Sequence, residues 1–251
     1  MHCIRQRFGG ENMKALILAA GLGTRLAPIT NDRPKSMVPV NGKPILFKQI
    51  ENLIENGIED ITIVSGYKGD MLEKAVHEKW PQIHIVESVD YANTNNMYSA
   101  YLGIGAMFPD GKIDAFYMMN ADVFYDTTVI ETLENDVRRN LIVVDMGRYI
   151  EESMKVVEKE GRLTAISKQI PSEDALGCSI DVYKFGAEGG NAFYDCCRAY
   201  IEEKRELKLW SEVALNDVLK SVVFEACPLV GRWLEIDNHE DLAAAEALFS
   251  E

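Results

Sequence analysis

The stretch that decides the fold is Lys14–Pro44, which reads KALILAAGLGTRLAPITNDRPKSMVPVNGKP. It begins with an unbroken apolar run, Lys14–Ala20, of the kind that forms a strand buried on both faces of a parallel sheet. The loop Gly21–Arg25 follows directly. Small residues after such a strand let the backbone approach a polyphosphate, whose oxygens can accept hydrogen bonds from exposed N–H groups. The stretch therefore predicts an α/β sheet with a phosphate-binding loop at its edge.

Outward from this stretch, the first half of the chain alternates short apolar runs with segments of helical spacing. Further strands are predicted at Asp60–Ser65, Ile83–Val86 and Ile113–Asn120, and helices at Ile45–Asn56, Lys68–Lys79 and Asn95–Met107. This alternation is typical of βαβ units. The second half has shorter strand-like segments, such as Val222–Glu225, and a hairpin turn at Lys159–Gly161. We predict an α/β fold whose Rossmann-like, mostly parallel mixed sheet has helices on both faces.

The composition suits one large domain and excludes several kinds of partner. The chain has 251 residues, of which 47% are hydrophobic, and a net charge of −14, whereas nucleic-acid binding needs a basic surface. No apolar stretch reaches the roughly 18–20 residues that span a bilayer. The five cysteines lack zinc-binding spacing and are expected to be free thiols. We expect a cytoplasmic protein with a disordered extension over residues 1–12, a single domain over residues 13–251, and no binding to nucleic acid or membrane.

The glycine loop differs from two common phosphate-binding motifs. No Gly-Lys-Ser/Thr follows it, and Gly21 and Gly23 lack the third glycine of a dinucleotide-binding fingerprint. Arg25 offers a bidentate clamp for phosphate. The next segment, Asp32–Pro44, is punctuated by prolines and carries Lys35 close to the loop. A lysine here can neutralise charge on an α-phosphate, although most lysines in loops are simply solvated.

Together, GLGTR and the pair Pro34–Lys35 closely resemble the signature of the nucleotidylyltransferases that activate sugar phosphates and related molecules. The resemblance runs from Met13 along nearly the whole chain. It implies a nucleotide-diphospho-sugar transferase type of fold, and Mg²⁺-dependent transfer of a nucleoside monophosphate from a triphosphate to a small phosphorylated molecule. It also implies that Lys35, Arg25 and Asp122 are catalytic. The nucleotide-binding residues that it implies are Leu18, Ala19, Ala20, Gly21, Gly23, Thr24, Arg25, Gly66, Asn95 and Asn96.

Two aspartates follow predicted strands and are candidate metal ligands. Asp122 comes after Ile113–Asn120, and Asp237 comes after Trp233–Ile236. A carboxylate at the carboxyl end of a parallel strand faces the ligand crevice, and Mg²⁺ prefers a few carboxylates together with phosphate oxygens. The resemblance implies a metal site at both aspartates. Glu235 lies on the same strand face as Asp237 and is the alternative ligand.

The stretch Asn95–Ser99, NNMYS, resembles the choline-phosphate cytidylyltransferase branch in particular and so implies CTP as the donor. One of the two asparagines is also expected to cap the following helix. Aromatic faces with a nearby carboxylate suit a quaternary ammonium group. The candidate acceptor-binding residues are Tyr98, Lys168, Tyr183, Trp210 and Glu212.

The acceptor stays open on the sequence alone. Glu151–Lys155 lacks the aromatic residues expected near a choline headgroup. A phosphocholine-like acceptor is the main expectation, and phosphoethanolamine, 2-aminoethylphosphonate and a sugar 1-phosphate are the alternatives. A non-catalytic nucleotide sensor is disfavoured because Lys35, Asp122 and Asp237 are all present, and a related glycosyltransferase because Asn120–Asp122 is not an Asp-x-Asp motif. A homodimer is compatible with the sequence.

Overall fold

The computed structural model describes residues 13–149 and 151–250, so the predicted extension over residues 1–12 lies outside the described residues. The strands are β1 Lys14–Ala19, β2 Pro39–Val40, β3 Lys43–Pro44, β4 Asp60–Ser65, β5 His84–Glu87, β6 Phe116–Asn120, β7 Val123–Tyr125, β8 Leu141–Met146, β9 Lys155–Lys159, β10 Arg162–Ser167, β11 Gly177–Phe185, β12 Glu225–Pro228 and β13 Trp233–Glu235. The helices are α1 Ile45–Glu55, α2 Gly69–His77, α3 Asn96–Met107, α4 Thr128–Asn135, α5 Ala187–Arg198, α6 Ser211–Val218 and α7 His239–Leu248.

A nine-stranded mixed sheet runs through the fold. The order β10-β9-β11-β6-β1-β4-β5 forms its main path, and β8 pairs with β11 and β12 off this path. Strands β6, β1, β4 and β5 are parallel, with Leu18 opposite both Val64 and Asn120. Because parallel strands point the same way, the loops that follow β6, β1 and β4 leave the sheet at one edge.

The second half of the chain extends the sheet mainly with antiparallel pairs. Strand β11 pairs with β6, β8 and β9, and β9 pairs with β10. The predicted turn between β9 and β10 is present, and both Glu160 and Gly161 have positive φ angles there. Positive φ at both central residues is characteristic of tight hairpin turns. The predicted mixed α/β sheet is thereby confirmed.

Alternate residues of β1 face two separate cores. Leu16 and Leu18 join one core with residues of α3, α5 and α6, while Ala15 and Ile17 join the other with residues of α1, α2 and α4. All four side chains are less than 9% exposed. The apolar run was therefore correctly interpreted as a strand covered by helices on both faces.

A third, smaller core joins the loops at the sheet edge to the end of the chain. It contains Leu26 and Val40, which lie before and after Lys35 in the sequence, and Phe124 from β7. It also contains Ile236, from the turn before α7, and Ala245 from α7. Strands β13 and β7 pair antiparallel beside it. This core holds residues that are more than 200 positions apart in the sequence within one corner of the molecule.

The predicted and observed elements differ most in two places. Strand β6 begins at Phe116 rather than Ile113, and β12 begins at Glu225 rather than Val222. The backbone N–H of Val222 donates to the carbonyl of Val218, the last residue of α6, so Val222 belongs to the turn after the helix and not to a strand. The short strands β2, β3 and β7 carry too few residues to show a pattern in the sequence.

Two further predictions concern the chain as a whole. Within residues 13–149 and 151–250, no helix is long and apolar enough to cross a membrane. The single domain over residues 13–251 stays a prediction, although the main sheet contains strands from both halves of the chain.

Replacing Leu16 by alanine should destabilise the fold strongly, because this fully buried side chain lies at the centre of the sheet. A buried leucine-to-alanine change costs about 2–5 kcal/mol. Val137→Ala is the control, since Val137 is 83% exposed and its loss should change stability by less than about 0.5 kcal/mol. Urea unfolding measures both, and equal midpoints would contradict the assigned core.

Candidate active site

A cavity of about 330 Å³ opens where the loops after β1 and β6 meet. Most residues predicted from the sequence to bind ligands line it. They are Leu18, Ala19, Ala20, Gly21, Gly23, Thr24, Arg25, Lys35, Asn95, Asn96, Asp122, Lys168, Trp210, Glu212 and Asp237. The structure therefore brings together residues from the first and last quarters of the chain in one concave site.

Three predicted site residues do not line the cavity. Tyr98 packs beside Tyr101, with 6.5 Å between ring centroids. Tyr183 is 1% exposed and lies behind the cavity wall. Gly66 has a packing role, because a Cβ atom at this position would lie 2.6 Å from the carbonyl oxygen of Ala20. Gly66 thus lets the end of β4 approach the glycine loop without itself being a lining residue.

The ammonium group of Lys35 lies between two carboxylates. Its Nζ is 2.7 Å from Oδ2 of Asp122 and 2.5 Å from Oδ1 of Asp237. Burial opposes the positive charge, but the two carboxylates outweigh it and raise the pKa of Lys35 above its ordinary value. Lys35 is therefore a permanent positive charge at the centre of the site.

The glycine loop packs directly on this lysine. Gly23 has φ 63°, and a Cβ atom there would lie 2.7 Å from Cβ of Lys35. Only glycine adopts this backbone angle without cost and leaves the space that Lys35 fills. The hydroxyl of Thr30 also donates to the carbonyl of Gly23 at 2.9 Å. The two halves of the sequence signature thus form one packed unit.

Asp237 makes a second ion pair, with Arg25. The guanidinium Nη2 lies 2.8 Å from Oδ2 of Asp237, and the arginine side chain is 65% exposed. Burial raises the pKa of Asp237, but Lys35 and Arg25 outweigh it and hold that pKa below its usual value. An exposed arginine beside a glycine loop is positioned to bind an incoming phosphate.

Three carboxylates converge beside Lys35. Asp122, Glu235 and Asp237 each place one oxygen within 4.8 Å of the others. Oδ1 of Asp122 is buried and has no hydrogen-bond partner among the residues that the structure describes. This donor set fits a divalent cation that prefers oxygen ligands. Glu235, the alternative ligand in the sequence prediction, lies in the same cluster as the two aspartates.

Local structure explains how these carboxylates meet. Strand β13 pairs with β7, which places Glu235 opposite Val123, and the N–H of Ile236 donates to the carbonyl of Asp122 at 2.9 Å. Asn238 and Asp241 then form a capping box at the start of α7. In that box the side chain of Asp241 accepts the N–H of Asp237 at 2.9 Å. The turn from β13 into α7 therefore fixes the direction of Asp237.

The asparagine pair has structural partners as well as a place in the cavity wall. Asn95 caps α3 by accepting the N–H of Asn96 at 2.8 Å, as predicted for one of the two. The Asn96 side chain accepts the N–H of Ser211 at 2.8 Å, and its Nδ2 lies 3.4 Å from Oδ1 of Asn120. Asn96 thereby joins the start of α6 to the end of β6 across the site.

The structure adds acceptor-side residues that the sequence interpretation missed. Asp181, Glu152 and Ser153 line the same cavity as Trp210. Nζ of Lys168 lies over the Trp210 ring, 5.2 Å from its centroid. A signal for Asp181 was present, since it is the one acidic residue in the largely buried run CSIDVYKF of β11. Glu152 and Ser153 lie in Glu151–Lys155, the segment that the sequence analysis associated with the acceptor without assigning either residue a role.

Comparison with known proteins places these features in context. Residues 14–154 match the profile of the nucleotidyl transferase family. A choline-phosphate cytidylyltransferase of Streptococcus pneumoniae is 37% identical over 155 residues, which cover 60% of this chain and 67% of that protein. A 2-aminoethylphosphonate cytidylyltransferase of Lancefieldella rimae is 36% identical over 107 residues, which cover 43% of each chain.

A solved structure resembles this chain over nearly its whole length. The CTP:phosphocholine cytidylyltransferase of Streptococcus pneumoniae superposes with a TM-score of 0.81 at 27% identity. The alignment covers 96% of this chain and 100% of that one. The similarity thus includes the second half of the fold, beyond the region matched by the family profile.

Replacing Lys35 by methionine should destabilise the protein, because Asp122 and Asp237 would keep their charges and lose their shared cation. We expect the free energy of unfolding to fall by about 2 kcal/mol or more. Lys43→Met is the matched control: Lys43 lies in the same segment, pairs with Glu51, and has a 43% exposed side chain. That surface pair should contribute less than about 1 kcal/mol. Equal losses in urea unfolding would contradict the central role of Lys35.

Proposed function

Because the chain belongs to the nucleotidyl transferase family, we propose that it transfers CMP from CTP to a small phosphorylated amino alcohol and releases pyrophosphate. One observation carries the proposal. Lys35 bridges Asp122 and Asp237 directly beside the glycine loop, so a cation, a carboxylate cluster and a phosphate-binding loop share one cavity. Such a site is suited to hold a triphosphate and to stabilise charge on one of its phosphorus centres.

The chemistry requires positioning more than acid–base catalysis. An oxygen of the acceptor's phosphate or phosphonate attacks the α-phosphorus of CTP in line, and the bond to the pyrophosphate leaving group breaks with its electron pair. A phosphate dianion is already nucleophilic near neutral pH, so no residue has to remove a proton. Lys35 and Arg25 supply positive charge for the phosphate oxygens, and the N–H groups of the glycine loop orient the triphosphate.

Asp122, Glu235 and Asp237 are the residues that would hold Mg²⁺. When bound, the ion would neutralise charge on the phosphate oxygens. The three carboxylates carry more negative charge than Lys35 offsets: burial, then repulsion from Asp122, Asp181 and Asp237, raises the pKa of Glu235 to about 9. An added divalent cation would remove this repulsion.

The choice of CTP and of an amino-alcohol acceptor is supported by the similar proteins and by NNMYS. Two of those proteins are named as cytidylyltransferases for choline phosphate and 2-aminoethylphosphonate. A sugar 1-phosphate is the alternative acceptor, since sugar-phosphate enzymes carry the same two-part signature. The carboxylates of Glu152, Asp181 and Glu212 in the cavity lining favour an acceptor with a cationic group over a neutral sugar.

The direct test is a matrix of four nucleoside triphosphates against four acceptors, with pyrophosphate release as the readout. The acceptors are phosphocholine, phosphoethanolamine, 2-aminoethylphosphonate and glucose 1-phosphate. We expect turnover with CTP and at least one nitrogen-containing acceptor, and none with glucose 1-phosphate. Turnover with glucose 1-phosphate alone would establish the rival enzyme class, and no turnover in any combination would contradict nucleotidyl transfer onto these acceptors.

Two substitutions test the assigned residues with different readouts. Lys35→Ala and Asp122→Ala should each lower kcat by about 10²–10³, the usual effect of removing a group that stabilises charge in the transition state. Asp122→Ala should also weaken Mn²⁺ binding measured by electron paramagnetic resonance, whereas Lys35→Ala should not weaken it.

Matched controls are the exposed residues Lys43 and Asp195, both paired at the surface. Lys43→Ala and Asp195→Ala should keep wild-type kcat and Mn²⁺ affinity. Turnover that persists in Lys35→Ala and Asp122→Ala would overturn the site assignment.

A further inference from the structure

Two carboxylates, of the buried Glu212 and the half-buried Asp181, form a wall at one side of the cavity. Oε1 of Glu212 lies 3.0 Å from the hydroxyl of Tyr183, and Oδ1 of Asp181 lies 2.9 Å from the same hydroxyl. Glu212 and Tyr183 are 3% and 1% exposed. Both carboxylates line the cavity, so the wall faces the space where the acceptor would bind.

The hydrogen-bond donors around these two carboxylates include no cationic group among the described residues. Tyr183 has one hydroxyl proton and can donate it to only one of the two carboxylates at a time. The remaining donors are neutral: Asn120 Nδ2 lies 3.0 Å from Oδ2 of Asp181, and the Ser211 hydroxyl lies 3.1 Å from Oε1 of Glu212. The Asn96 side chain and a backbone N–H also donate to Glu212. Across residues 13–149 and 151–250, no lysine or arginine forms an ion pair with Asp181 or Glu212. The pair therefore lacks a cation.

The pKa values of both carboxyl groups are raised, which shows that their negative charges are unfavourable here. Burial, then repulsion from Glu212 and Asp122, raises the pKa of Asp181 to about 7. Burial also raises the pKa of Glu212. Two neighbouring carboxylates in a partly buried wall are expected to be kept only where a ligand or partner compensates them. A cationic N–H donor in the cavity would supply both the charge and the missing protons.

The backbone directs Asp181 towards this space. Strand β11 has a register shift between Ser179 and Tyr183 in its pairing with β8, and Asp181 has φ 56° within it. The hydroxyl of Ser179 accepts the N–H of Asp181 at 3.1 Å. Such bulges re-aim a side chain out of the regular alternation, and aspartate tolerates the left-handed region better than most residues.

The same cavity is poor in aromatic faces. Only Tyr91 and Trp210 contribute aromatic rings to its described lining, and Trp210 already has Lys168 over its ring. Glu152 and Ser153 line the cavity, and they belong to the segment in which a choline site was expected to carry aromatic residues. A trimethylammonium group has no N–H and is held chiefly by aromatic faces. The carboxylates of Asp181 and Glu212 therefore suit a ligand group that donates hydrogen bonds.

We propose that Asp181 and Glu212 select an acceptor with a primary ammonium group, whose N–H bonds their carboxylates accept. The inference rests on the proposed function and narrows its acceptor to primary amines such as phosphoethanolamine and 2-aminoethylphosphonate. Each methyl group added to the nitrogen replaces one N–H that could donate to the carboxylates of Asp181 and Glu212. Asp181 and Glu212 are therefore specificity-determining residues rather than participants in the transfer step.

The first test uses the wild-type enzyme with CTP and an N-methylation series. The acceptors are phosphoethanolamine, its N-methyl and N,N-dimethyl derivatives, and phosphocholine. We expect kcat/KM to fall with each methyl group, by about 10- to 100-fold over the series, the effect of losing a hydrogen bond to a charged group. Phosphocholine used as well as phosphoethanolamine would overturn the inference while leaving the proposed function intact. No turnover with any acceptor would refute the proposed function instead.

The second test uses Asp181→Asn and Glu212→Gln, with the exposed Glu203→Gln as the control. Both wall variants should raise the KM for phosphoethanolamine by about 10- to 100-fold and leave the KM for CTP within about twofold. They should also flatten the methylation series, and they should not affect transfer to ethyl phosphate, which lacks the ammonium group. Equal losses for ethyl phosphate and phosphoethanolamine would show a merely structural role and overturn the inference.

Discussion

The ammonium group of Lys35 between Asp122 and Asp237 is the interaction on which the site depends. The three residues come from the segment Asp32–Pro44, the end of β6 and the turn before α7, and their opposite charges hold these segments together. Without the cation, the carboxylate cluster would repel itself in a half-buried position. The same positive charge is what an α-phosphate requires, so one group stabilises the structure and serves the proposed chemistry.

The rest of the fold supplies the conditions for that contact. Parallel pairing of β6, β1 and β4 brings the glycine loop and Asp122 to one edge of the sheet. The β13–β7 pair and the capping box of α7 then return the chain to this edge with Glu235 and Asp237. The small third core packs the loops against α7 and keeps the distant segments in register.

The proposed acceptor side of the cavity is formed by other strands and helices, and its carboxylates are compensated differently. Its wall comes from β11 and α6, in the half of the sheet that is mainly antiparallel. Lys35 and Arg25 pair with the aspartates of the carboxylate cluster, whereas Asp181 and Glu212 have no cationic side chain beside them among the described residues. In the proposed function, the groups for nucleotidyl transfer lie at the sheet edge, and the acceptor is selected by a few side chains from the second half of the chain.

The sequence by itself determined the sheet, the two-part signature, the two aspartates that are candidate metal ligands and most of the cavity lining. These features depend on local patterns: apolar runs, a glycine loop, a proline–lysine pair and carboxylates at strand ends. Tertiary structure alone decided that Gly66 and Tyr183 support the cavity from behind, that Tyr98 lies outside its lining, and that Glu235 joins the aspartates. It also decided that Asp181 faces Glu212. A bulge in β11 sets that direction, and the partner is 31 positions away. Contacts of this kind depend on how strands and helices pack in space, which no local pattern in the sequence encodes.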